Sequence, residues 1–90
     1  MSADELDEPL APAAAKQVLR DALAATSVSF TGHALLEMRN DEITQDEALA
    51  VLRGGVVEPG ELERGTWRYR VRAGRVFVVV AFRGAAARSS

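Results

Sequence analysis

The chain contains no cysteine, one histidine and one lysine, and no apolar run longer than the seven residues from Val76 to Phe82. Without cysteine there is no disulfide framework and no thiolate metal site. A lone histidine among scattered carboxylates fits no metal-ligand spacing, so neither metal nor cofactor is expected. Seven apolar residues are far short of a membrane span. The sequence carries no P-loop, no dinucleotide glycine pattern and no zinc-protease helix. Its start, Met1-Ser2-Ala3-Asp4-Glu5-Leu6-Asp7-Glu8, is acidic, unlike a secretory signal or a transit peptide. A cytoplasmic location with no membrane partner is therefore expected.

What remains is 90 residues, 48% hydrophobic and 27% charged, enough for one small folded domain. The net charge of −2 hides an asymmetry. Residues 1–52 carry ten acids against Lys16, Arg20 and Arg39, a balance of −7, and residues 53–90 carry Glu58, Glu61 and Glu63 against eight arginines, a balance of +5. Arginine is the side chain best suited to forked contacts with phosphate and carboxylate. An anionic partner for the second half is the natural expectation.

Residues 1–8 read as a disordered acidic tail and residues 9–84 as a single α+β domain, with residues 85–90 as a frayed tail. Pro12 suits the first turn of a helix, and Val18, Leu19, Ala22 and Leu23 recur at helical spacing within residues 13–25. Val28-Ser29-Phe30 reads as a short extended segment. Thr31 can cap a second helix reaching Asn40, with Ala34, Leu35 and Met38 as its apolar face. Thr44-Gln45-Asp46-Glu47 is a capping box for a third, which Gly54-Gly55 is expected to end through a left-handed cap.

From Val56 the period becomes that of strands. Val56-Val57-Glu58 is short, and Pro59-Gly60 is turn chemistry. Residues 67–72, Trp-Arg-Tyr-Arg-Val-Arg, alternate without a break. The run after Ala73-Gly74 is apolar on both faces, as in a central strand. The expected fold is thus α+β, with N-terminal helices packed on one face of a small antiparallel β-sheet.

Two groups of residues carry chemistry. Arg68, Arg70 and Arg72 share a strand face and form a row about 14 Å long. Arg83 and Arg75 join that face if the hairpin loop has two residues, and leave it if the loop has three. Such a row suits a solvated outer face, but neither Glu nor Lys occurs between Trp67 and Ser90. A one-sign surface of this kind fits a phosphate or an acidic partner better. Glu37 lies four residues after His33, one helical turn on, where a carboxylate can orient the imidazole for acid–base work. The same histidine could equally hold the strand-to-helix corner.

Phe30-Thr31-x-His33-Ala34-x-x-x-Met38, then Ile43-Thr44-x-x-Glu47-Ala48, then Val51-Leu52-x-x-Gly55 and the two strands resemble a small bacterial domain-of-unknown-function family. Its motif reads roughly S-x-H-A-x-x-R-M, and it looks related to the RelE/ParE/MqsR-type toxins of type II toxin–antitoxin systems. The resemblance covers about residues 28–83. It implies an mRNA endoribonuclease toxin with a compact α+β fold, held by a cognate antitoxin of zinc-finger or helix-turn-helix type. On that reading His33 with Glu37 supplies the base or acid, and Arg68 and Arg70 stabilise charge on the phosphate. Arg64, Arg72, Arg75 and Arg83 would then hold RNA or the partner. The motif's two arginines are Glu37 and Asp41 here, which reverses their charge. The alternative is a non-catalytic interaction module of the same fold that binds an acidic partner. An open sheet edge also invites pairing with a second copy.

Overall fold

The computed structural model describes residues 7–89, as three helices and a six-stranded mixed sheet. Helix α1 spans Pro12–Ala24, with Pro12 in its first turn and Ala15, Leu19 and Ala22 buried on one stripe. Helix α2 spans Gly32–Asn40, and Thr31 caps it by accepting the Ala34 amide at 3.0 Å. Helix α3 spans Gln45–Gly54 behind the expected capping box. The Glu47 amide donates to Thr44 Oγ1 at 3.1 Å, and the Thr44 amide donates to Glu47 Oε1 at 3.2 Å.

The end of α3 differs from expectation. Gly55 is extended (φ −79°, ψ 172°), not left-handed. It is glycine for room, because a Cβ there would stand 2.5 Å from the Val51 carbonyl oxygen and 2.8 Å from that of Arg72. The carbonyls at this helix end are met from α1 instead. Lys16 Nζ donates to Gly55 O at 2.6 Å, Arg53 O at 3.1 Å and Leu52 O at 3.3 Å. A cation there also suits the negative end of the helix dipole.

The strands are β1 (Val28–Phe30), β2 (Val56–Val57), β3 (Glu61–Glu63), β4 (Thr66–Ala73), β5 (Val76–Arg83) and β6 (Ala86–Ser89). Their spatial order is β1-β6-β5-β4-β2, with β3 also on β4. Three two-residue loops close the hairpins, each with a positive φ at its first position: Arg64 and Gly65 (51°, 80°), Gly74 (60°) and Gly84 (59°). Left-handed residues at these positions match the twist of the flanking strands.

Two expectations about the strands are corrected. The segment expected to fray, residues 85–90, contains β6, which pairs antiparallel with β5 and parallel with β1. Ala87 and Ser89 are buried there, so the sheet is mixed and not purely antiparallel. The expected acidic tail lies outside the described residues over 1–6. Within its described part, Glu8 Oε2 accepts the Tyr69 hydroxyl proton at 2.8 Å.

Alternation along β4 and β5 decides the two faces. Tyr69 and Val71 stand opposite Val80 and Val78, and all four are buried against α1 and α3. The alanines Ala15, Ala22 and Ala48 let those helices approach closely, while Leu19 and Leu52 fill the layer between. Truncating either leucine to alanine would cost about 2–5 kcal/mol. Helix α2 is held differently, since only Ala34 is buried and Leu35, placed on its apolar face by the sequence, is exposed together with Leu36.

Candidate functional site

The second face of the sheet carries Arg68, Arg70 and Arg72 on β4. Phe77 and Val79 lie opposite Arg72 and Arg70 on β5. The β4–β5 loop is the two-residue form, Gly74-Arg75. Arg83 therefore points to the same face as the β4 row, and Arg75 sits in the turn itself. On β6, Arg88 stands opposite Ala81, which continues this face. Phe77 is 50% exposed and Val56, beside Arg72, is 70% exposed. An apolar strip of Phe77, Val79 and Ala81 is thus bounded by arginines on both sides. The Arg70 guanidinium lies 4.7 Å from the centre of the Phe77 ring, a cation–π contact.

The strip is not of one sign, as composition had implied. An unbroken ladder from β2 would put residue 60 opposite Arg68, yet Glu61 is there, so residues 58–60 hold one extra residue. This bulge brings acids beside the arginines. Arg72 Nε is 3.2 Å from Glu58 Oε2, Arg70 reaches Glu58 Oε1 at 3.9 Å, and Arg68 Nε lies 3.7 Å from Glu63 Oε2. Each pair is partly exposed and contributes about 0–1 kcal/mol to stability. Their larger effect is to offset the positive field over β4. Arg83 and Arg88 have no ion-pair partner among the described residues, so the net positive end of the face is the β5–β6 side.

His33 and Glu37 do meet, with Nε2 and Oε1 3.0 Å apart, but both side chains stand in solvent, 70% and 59% exposed. They follow β1, the strand three places from β4 in the sheet order. Helix α2 then returns toward β5, so that Glu37 lines one cleft with Arg75, Phe77 and Val79. Arg64 sits in the β3–β4 turn, outside the paired stretch of β4 and β5.

Tyr69 is fully buried and belongs to the core. Its hydroxyl accepts the Leu10 amide at 2.9 Å and donates to Glu8, and its ring packs 5.1 Å from that of Phe82. Burial, with the Glu8 carboxylate adding to it, raises its pKa above the ordinary value. Burial likewise lowers that of Lys16, and Arg20 lowers it further. Among the described residues no three His, Asp or Glu side chains gather to hold a metal ion, and no helix is long and apolar enough to cross a membrane. No protein-family model, curated protein or solved structure matches this chain.

Proposed function

We propose that this domain is a non-catalytic interaction module that binds an acidic, amphipathic protein segment on the uncovered face of its sheet. The observation that carries the reading is the apolar strip Phe77-Val79-Ala81, its Phe77 exposed and its Val79 and Ala81 half-buried, with Arg68, Arg70 and Arg72 on one side and Arg83 and Arg88 on the other. Apolar residues on the partner would bury the strip, and its acids would meet Arg83 and Arg88, which have no ion-pair partner among the described residues, and compete with Glu58 for Arg70, now 3.9 Å away. The endoribonuclease reading draws support from the His33–Glu37 pair. Against it, acids stand beside the arginine row.

Titration separates the two. The probes are an amphipathic Leu/Glu helical peptide and a 20-nucleotide single-stranded RNA, each followed against wild type and Arg70→Glu/Arg83→Glu. The module reading expects peptide binding that the double variant weakens at least tenfold, with intact RNA and weak RNA binding. RNA binding that falls steeply with salt, with strand cleavage lost in His33→Ala, would establish the ribonuclease reading instead.

A further inference from the structure

A second surface lies at the other edge of β5; it shares Phe77 and Val79 with the arginine strip but uses the backbone of the strand. The pairing of β5 with β6 covers Val80 to Arg83, so among the described residues Val76–Val78 are paired only on the β4 side. The two-residue loop makes Ala73–Val76 the closing hydrogen-bonded pair, and Val71–Val78 repeats it two residues on. Phe77 therefore turns its own N–H and C=O away from β4. They face a cleft of about 340 Å³ that α2 walls on the far side.

The chemistry of this cleft is specific. Ala34, Met38, Ile43 and Val78 make it apolar within. Ser89 lines it, is 4% exposed, and its hydroxyl has no hydrogen-bond partner among the described residues. Its charged lining is Glu37 of α2, Asp41 one turn on, and Arg75 from the β4–β5 loop, two acids against one cation. Asp41 is the C-cap of α2, where the helix dipole disfavours a carboxylate, so helix stability does not account for it.

We propose that this cleft takes an extended peptide of alternating apolar and basic residues, added as a strand along Val76–Val78. The peptide backbone pairs with the N–H and C=O of Phe77. One apolar side chain enters between Met38 and Val78 near the Ser89 hydroxyl, and a lysine or arginine meets Glu37 and Asp41. Main-chain pairing supplies affinity and the pocket with its two carboxylates supplies selectivity.

The test uses the full chain and three fluorescein-labelled hexapeptides: Lys-Val repeated three times, Glu-Val repeated three times, and the Lys-Val peptide with its central valine N-methylated. Anisotropy is measured together with amide hydrogen exchange. The expected result is binding of the Lys-Val peptide alone, with slowed exchange at the Phe77 amide. Binding should weaken fivefold or more in Glu37→Gln/Asp41→Asn, which leaves the core untouched, and stay unchanged in Arg70→Glu. Equal binding of the Glu-Val peptide, or of the N-methylated one, overturns the proposal, as does indifference to the carboxylate variant. Protection of the Phe77 amide that grows with protein concentration in the absence of peptide overturns it too, because a second copy would then hold the edge. Arg70→Glu keeps this result distinct from the fate of the sheet-face reading.

Discussion

Arg64 holds a left-handed backbone (φ 51°) directly before Gly65 (φ 80°) in the β3–β4 turn. Both central residues of such a turn need positive φ, and Asn-Gly meets that demand best. Arg64→Asn is expected to raise stability by about 0.5–1 kcal/mol, read as a higher urea midpoint. Peptide binding should not change, because Arg64 lies off the strip. Tyr69 offers a second measurement at this scale. Its pKa is raised, so below pH 10 both the folded and the unfolded chain keep the proton and its stabilising effect is complete. Above pH 10 the unfolded chain releases the proton first, and stability falls as pH rises toward the folded value. Tyr69→Phe is expected to cost about 1 kcal/mol at pH 7, where Leu10 and Glu8 lose their partner. Urea titrations from pH 7 to 11 should then show a shallower alkaline decline than wild type. The Lys16 contribution has the opposite sign and cancels in the comparison. An identical decline would mean that the tyrosine ionises freely in the folded state.

At the scale of elements, β6 is the informative case. Ala86-Ala87-Arg88-Ser89 has neither the aromatic nor the β-branched content that marks a strand, and it becomes one because β5 and β1 pair with it on both sides. Ala87→Asp, placing a carboxylate in the core, is expected to cost more than about 3 kcal/mol. Ala86→Asp, exposed at the start of the same strand, should be tolerated within about 0.5 kcal/mol. Denaturant melts of the pair test whether residues 86–89 are structural. The α3 start and the β4 alternation were legible because a capping box and a period of two are local signals. The end of α3 was not, since its cap is Lys16, 36 to 39 residues away. Lys16→Met should cost about 1 kcal/mol, allowing for the solvent exposure of the ammonium. The acids beside the arginine row were equally hidden, because a one-residue bulge at 58–60 leaves no mark in composition. Likewise, only the tertiary structure reveals that Glu37 of α2 shares a cleft with Arg75 and Phe77.

Across the whole molecule the sequence asymmetry becomes a spatial one. The exposed acids Glu37, Asp41, Glu42, Asp46 and Glu47 belong to the α2–α3 part of the chain, whereas Arg70, Arg72, Arg83 and Arg88 stand on the sheet face turned away from α1 and α3. Opposite charges on different surfaces favour contact between the acidic part of one copy and the arginine face of the next. Such a head-to-tail contact does not close on itself and has no fixed size. At 10 mM salt the Debye length is about 30 Å and the attraction reaches between molecules, whereas at 0.15 M it is about 8 Å and only touching charges feel it. Static light scattering is therefore expected to show an apparent mass that rises with concentration at 10 mM salt and returns to the monomer value of 9.7 kDa at 0.3 M. Arg83→Glu/Arg88→Glu should remove the rise at low salt. A stable dimer that persists at 0.3 M salt would point to burial of the Phe77 strip between two copies, because apolar contact survives screening and charge contact does not. Phe77→Ser would then dissolve that dimer while the arginine variant left it intact, so one pair of variants assigns the association to charge or to the uncovered apolar strip.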